Sequence, residues 1–183
     1  MSHVTCAGAA RMVETLLRLR GNTIIVGTTG FPDERTFDIA VRRGVMIAEH
    51  HMTPLGLNVW GWPTGLPYTY RLDPELLQTA WRALAKYQAG RNMLWSVGMR
   101  GLWDQPFWAA DPAIQSDQER GAIISACIGN QTSIIEDETG KPGRYALVSS
   151  VDPGCPCCCS RYVTRRARAR WVPGTSHTCG QRC

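Results

Sequence analysis

The sequence predicts an α/β fold in which buried parallel strands alternate with helices, and three observations carry that prediction. Short apolar runs at residues 22–27, 45–48 and 92–98 are each preceded by a segment with helical periodicity. Each of those segments stops at a glycine, Gly21, Gly44 or Gly90, the residue that most easily takes the left-handed turn out of a helix. The chain has 183 residues, of which 44% are hydrophobic and 19% charged, so it is long enough for one medium globular domain and too apolar to be disordered throughout.

The first helix is expected around Met12, Val13, Leu16, Leu17 and Leu19, and the strand Asn22-Thr-Ile-Ile-Val-Gly27 follows it. Residues 33–43 place Phe37, Ala40 and Val41 on one helical face, and the buried strand 45–48 comes next. A loop rich in Gly, Pro and Trp fills residues 53–72. Asp73 is a natural cap for a helix that starts at Pro74 and carries Leu77, Trp81, Leu84 and Gln88 at helical spacing, before the third strand at 92–98. Ser116-Asp-Gln-Glu119 has the spacing of a capping box, and Ile123, Ile124, Cys127, Ile128, Ile134 and Ile135 run as an apolar stripe to Gly140.

Charge and cysteine divide the chain near Gly140. Residues 1–140 hold 12 Lys and Arg against 14 Asp and Glu, a balance of −2, whereas residues 141–183 hold 8 against 1, a balance of +7. Cys6 and Cys127 lie far apart in the first part, while Cys155, Cys157, Cys158, Cys159, Cys179 and Cys183 crowd the second. Two isolated thiols make no disulfide framework. No apolar stretch approaches the ~20 residues of a membrane helix, and residues 1–10 lack the pattern of a secretory signal.

Alternation of this kind builds either a barrel or an open doubly wound sheet, and in both the ligand site lies at the carboxyl ends of the strands. Those ends read Thr28-Thr-Gly-Phe31, Glu49-His-His-Met52 and Gly98-Met-Arg-Gly-Leu-Trp-Asp104. Glu49, His50 and His51 offer a carboxylate and two imidazoles, Arg100 a forked cation suited to a carboxylate ligand, and Asp104 a second carboxylate. The alternative is that these are strand-end polar groups, with Arg100 paired to Asp104. No metal site is expected, because neighbouring histidines on a strand point to opposite faces and a third ligand has no usual spacing. Trp60, Trp62, Tyr68 and Tyr70, with Trp103, Phe107 and Trp108, are dense aromatic content for loops; they suit the apolar faces of sugar rings or serve as packing plugs.

Taken together, Glu49-His-His-Met-Thr-Pro-Leu-Gly-Leu-Asn58, Trp60-Gly-Trp-Pro63, Leu72-Asp-Pro-Glu75, Trp95-Ser-Val-Gly-Met-Arg-Gly-Leu-Trp-Asp104 and Pro106-Phe-Trp108 resemble glycoside hydrolase family 115, the xylan α-1,2-glucuronidases. Leu16-Leu-Arg-Leu-Arg-Gly-Asn22 adds to the resemblance, which covers roughly residues 11–140. It implies an α/β fold that is an incomplete (β/α)8 TIM-type barrel fragment, since a complete barrel takes about 250 residues. It also implies an inverting enzyme that removes glucuronic acid or its 4-O-methyl ether from xylan, acting outside the cell and needing no cofactor. On that pattern Asp104 is the catalytic candidate, and His50, His51, Arg100, Asn58, Trp60, Trp62, Tyr68 and Trp103 are the substrate-binding candidates. Glu49 departs from the Ser or Thr expected before the paired histidines. The second carboxylate that inversion needs has no counterpart: no Asp or Glu precedes Met12, and Asp152 is the one acid after Glu138. The expected partner is xylan or a uronic-acid-bearing oligosaccharide, with neither nucleic acid nor membrane, and the isolated chain is expected to be inactive.

Residues 141–183 are expected to be an unrelated, disordered Cys/Arg-rich tail, the product of a misjoined gene model. Three consecutive cysteines do not form paired Cys-x2-Cys ligands, although a small metal- or nucleic-acid-binding module is the alternative. A noncatalytic carbohydrate-binding remnant is the other alternative reading of residues 11–140.

Overall fold

The computed structural model describes residues 6–25, 35–140 and 145–147. Helix α1 (Cys6–Arg18) buries Ala9 and Val13 and starts six residues before Met12, where Ala7, Ala9 and Ala10 favour the helix in spite of Gly8. Strand β1 (Thr23–Ile25) follows, then α2 (Arg35–Arg42) and β2 (Met46–Ala48). Residues 26–34, which include the expected end of the first strand and the start of the second helix, lie outside the described residues.

Helix α3 (Pro74–Gln88) begins as its sequence predicts: Asp73 Oδ1 accepts a hydrogen bond from the Leu76 amide at 3.0 Å, with Pro74 in the first turn. Strand β3 (Met93–Val97) is buried at four of its five residues. Helix α4 (Asp117–Thr139) has the full capping box, with Ser116 Oγ accepting from the Glu119 amide and Glu119 reaching back to the Ser116 amide, and it ends at Gly140 in the left-handed conformation.

The strands form one parallel sheet in the order β1-β2-β3-β4, with Ile24 beside Ile47, Ala48 beside Leu94, and Ser96 beside Ala146 of strand β4 (Tyr145–Leu147). The alternation of strand and helix therefore produces the parallel α/β arrangement that the apolar runs predict. The described strands make a small sheet in sequential order, and a closed eight-stranded ring is not among them. Strand β4 lies past the boundary placed at Gly140, so the sheet continues into the span expected to be unrelated. Three residues held by a backbone ladder leave too short a periodicity to be read from sequence. Residues 148–183, the rest of the expected tail with its cysteine cluster, lie outside the described residues.

Helices α1 and α2 pack together, as do α3 and α4. The core joins Val13, Phe37 and Ala40 to Val45 and Ile47, and Leu77, Trp81 and Ala85 to Cys127, Ile134 and Ile135. Polar side chains are built into the interior too, Gln88 and Gln131 the most deeply buried. Gln131 of α4, fully buried, accepts from the Gly98 amide at 2.7 Å and donates to the Gly98 carbonyl at 3.0 Å, satisfying the backbone just where β3 ends. No described helix is long and apolar enough to cross a membrane.

Candidate functional site

Beyond Ala48 the chain leaves β2 and turns. The His50 amide donates to Thr53 Oγ1, whose hydroxyl donates back to the His50 carbonyl, both at 3.0 Å, and the Thr53 amide donates to the same carbonyl at 2.9 Å. This turn overturns the expectation that the two histidines face opposite ways on a strand. Their rings instead lie 3.8 Å apart, tilted by 40°. His50 Nδ1 accepts from the Met52 amide at 3.3 Å, so the neutral ring carries its proton on Nε2. The adjacent imidazoles are thus a paired unit with His50 in a defined tautomer.

Glu49 is a feature the sequence left ambiguous. Its Oε2 accepts from the Ser96 amide of β3 at 2.8 Å, and its Oε1 accepts from Gln88 Nε2 of α3 at 3.2 Å. Ser96 Oγ donates to the Glu49 carbonyl at 3.1 Å. Gly56, at φ 78°, passes directly over this group: a Cβ there would stand 2.5 Å from Gln88 Nε2 and 3.5 Å from Glu49 Oε1. The carboxyl is therefore enclosed by β3, α3 and the turn at Pro54–Gly56. Burial pushes it up to about 8, against the lowering effect of its hydrogen bonds from Ser96, Gln88 and Leu55. At neutral pH Glu49 is a protonated, structural acid whose oxygens are already engaged.

The expected aromatic rim separates into two parts. Trp60 and Trp103 meet edge to face, with ring centroids 5.0 Å apart, and are 41% and 60% exposed. Asn58, buried, turns its Oδ1 to the Trp60 amide at 3.0 Å, so it caps the short 3-10 turn Val59–Gly61 and sets the Trp60 backbone. Tyr68 lies elsewhere. It is 2% exposed, packs edge to face against Trp62, and its hydroxyl is buried with no hydrogen-bond partner among the described residues. That corrects its placement on the sugar-facing rim: the whole run Tyr68-Thr-Tyr70 is buried, both tyrosines in the core and Thr69 against Asp111. Trp62 is half-buried and donates from Nε1 to the Leu66 carbonyl at 3.1 Å, holding its own loop closed.

An ion pair between the exposed Arg71 and the buried Asp111 anchors the two loops to each other. Arg71 donates from Nε and Nη2 to both oxygens of Asp111, at 2.8 and 2.9 Å, and Thr69 Oγ1 adds a third hydrogen bond at 3.0 Å. These hydrogen bonds, Arg71 first, hold the Asp111 carboxyl below its usual range. No local pattern links residues 71 and 111, because the pairing spans 40 positions.

Arg100 follows β3 and is partly buried. Asp104 ends the short turn Leu102–Asp104, and its side chain lies outside the described residues. Cys127 is buried in α4, and burial pushes its thiol up, which removes it as a nucleophile. Among the described residues no group of three or more His, Cys, Asp or Glu is placed to hold a metal ion.

The fold defines an α/β domain with a parallel sheet, in which the His50–His51 pair and Trp60 follow β2 and Arg100 and Trp103 follow β3. The family model for glycosyl hydrolase family 115 matches residues 3–151, and the chain belongs to that family. A solved structure described as "A novel family GH115 4-O-Methyl-alpha-glucuronidase, BtGH115A, with specificity for decorated arabinogalactans" matches with a TM-score of 0.61 at 23% identity. The match covers 72% of this chain and 18% of that one, so this chain spans less than a fifth of its structural neighbour. None of the curated proteins matches.

Proposed function

We propose that this chain carries the uronate-recognising portion of a glucuronidase-like glycoside hydrolase site, within an incomplete (β/α)8-type barrel. The observation that supports it best is the turn after β2, which brings the His50 and His51 rings together and assigns a proton to His50 Nε2. An imidazole N–H and the Arg100 guanidinium supply the donors that a sugar carboxylate requires. The substrate class is a polysaccharide bearing glucuronic acid or its 4-O-methyl ether, on a xylan or an arabinogalactan backbone.

Inversion needs two carboxyl groups about 6.5–9.5 Å apart, one protonating the leaving oxygen and one drawing a proton from the attacking water. Glu49 has the pKa of an acid but its oxygens are spent on Ser96 and Gln88 beneath Gly56, so it braces the site. Asp104 takes the role of the reacting carboxylate, activating or positioning water. On this reading the chain as given binds the sugar acid and does not turn it over. The test is release of 4-O-methylglucuronic acid from glucuronoxylan and from decorated arabinogalactan, by this chain and by a version extended with genomic flanking exons. Activity confined to the extended version, and lost there in Asp104→Asn, is the expected result. Many turnovers by the short chain would overturn the reading, and an active Asp104→Asn would remove Asp104 from it.

A further inference from the structure

The Trp60 and Trp103 pair is the one place among the described residues where the fold holds two large indoles together in solvent. It does so at a backbone cost. Trp103 sits at φ 54°, ψ 35°, the left-handed region that a bulky L-residue avoids. The cause is the tight turn around it: a Cβ on Gly101 would fall 2.2 Å from the Gln105 carbonyl oxygen and 2.6 Å from that of Pro106, so the chain folds closely back and Trp103 is driven outward. Asn58 fixes its partner from the other loop by capping the turn that carries Trp60. Two loops from the ends of β2 and β3 thus spend a cap and a strained residue on presenting one aromatic notch.

We propose that this notch is a subsite for a neutral pyranose of the polysaccharide backbone, separate from the groups that hold the uronate. The inference rests on the carbohydrate reading of the same strand ends. The electron-rich faces of two indoles attract the C–H face of a sugar ring and repel a carboxylate. A neutral ring therefore sits on Trp60 and Trp103, and the acidic branch points to the imidazoles and Arg100.

Isothermal titration calorimetry on the full chain tests this with three probes: xylohexaose, a β-1,3-galactan oligosaccharide and free D-glucuronate. Saturable binding of at least one neutral probe is expected, and which of the two binds identifies the backbone. Trp60→Ala and Trp103→Ala should each weaken that binding about three- to tenfold. Trp103→Gly should weaken it as much although glycine accepts the left-handed backbone, because the indole and not the turn makes the contact. Failure of both neutral probes to bind, or unchanged affinity in both alanine variants, overturns the proposal. Binding of neutral sugar without glucuronate would sink the uronate reading and keep this one; the opposite pattern would do the reverse.

Discussion

Replacing Glu49 with glutamine removes the proton that the fold forces this residue to keep. In the unfolded chain the carboxyl titrates near 4.5, whereas burial in the fold moves it to about 8 against the lowering effect of the hydrogen bonds from Ser96, Gln88 and Leu55. Between those values the folded state binds one more proton than the unfolded state, so stability is highest below 4.5 and is lost as pH rises toward 8. One proton corresponds to about 1.4 kcal/mol per pH unit, or about 3 kcal/mol between pH 5 and 7. Glutamine keeps an oxygen for the Ser96 amide and carries no charge at any pH, so its curve lacks this slope. The assay is urea unfolding of both proteins at pH 5, 6, 7, 8 and 9, comparing the difference in unfolding free energy at each pH. Every other titrating group, His50 and His51 included, contributes to both proteins and drops out of that difference. Glu49→Gln should gain about 3 kcal/mol on the original chain from pH 5 to 7, with the gap levelling off above about 8. Parallel stability curves would show that the carboxyl is solvated and ionised at neutral pH, and the argument for an enclosed acid would fail.

Other substitutions read other parts of the structure. Tyr68→Phe deletes a buried hydroxyl with no hydrogen-bond partner among the described residues, so thermal unfolding should show a stability unchanged or raised by about 1 kcal/mol, with sugar affinity unaltered; a loss of affinity would return Tyr68 to the site. Asp111→Asn replaces the charged partner of Arg71 and should cost about 2 kcal/mol at pH 7 in urea melts. Because the Asp111 carboxyl is held below its ordinary 3.8, its contribution is present above that pH and is lost as pH falls further, so the variant should unfold with a shallower acid dependence. Gln131→Ala strands both the amide and the carbonyl of Gly98 in the core and should cost about 2–4 kcal/mol, seen as faster amide exchange at the end of β3.

Much of the architecture is written in local periodicity. The runs at 45–48 and 92–98, the cap at Asp73 and the box at Ser116 and Glu119 each depend on residues within a few positions of one another, and the structure places β2, β3, α3 and α4 on them. The family is legible for a related reason: the motifs from Glu49 to Trp108 are contiguous words. The candidate site is legible as a set of residue types at strand ends, but the sequence pictured His50 and His51 on opposite faces of a strand that in fact ends at Ala48, and counted Tyr68 with the exposed aromatics although it is buried.

What only the tertiary structure decided is which of those polar and aromatic residues face outward and which are used up inside. Glu49 becomes a protonated brace because Ser96 and Gln88 converge on it from 47 and 39 positions away; Asp111 becomes an anchor through Arg71, 40 positions away; Trp60 finds Trp103 across two loops. Burial and hydrogen-bond partnership are set by the surfaces that packing brings together, and a one-dimensional pattern carries the hydrophobic period of each element without the identity of its neighbours. The alternation of helix and strand belongs to the sequence by itself, and the division of labour among its strand-end residues belongs to the fold.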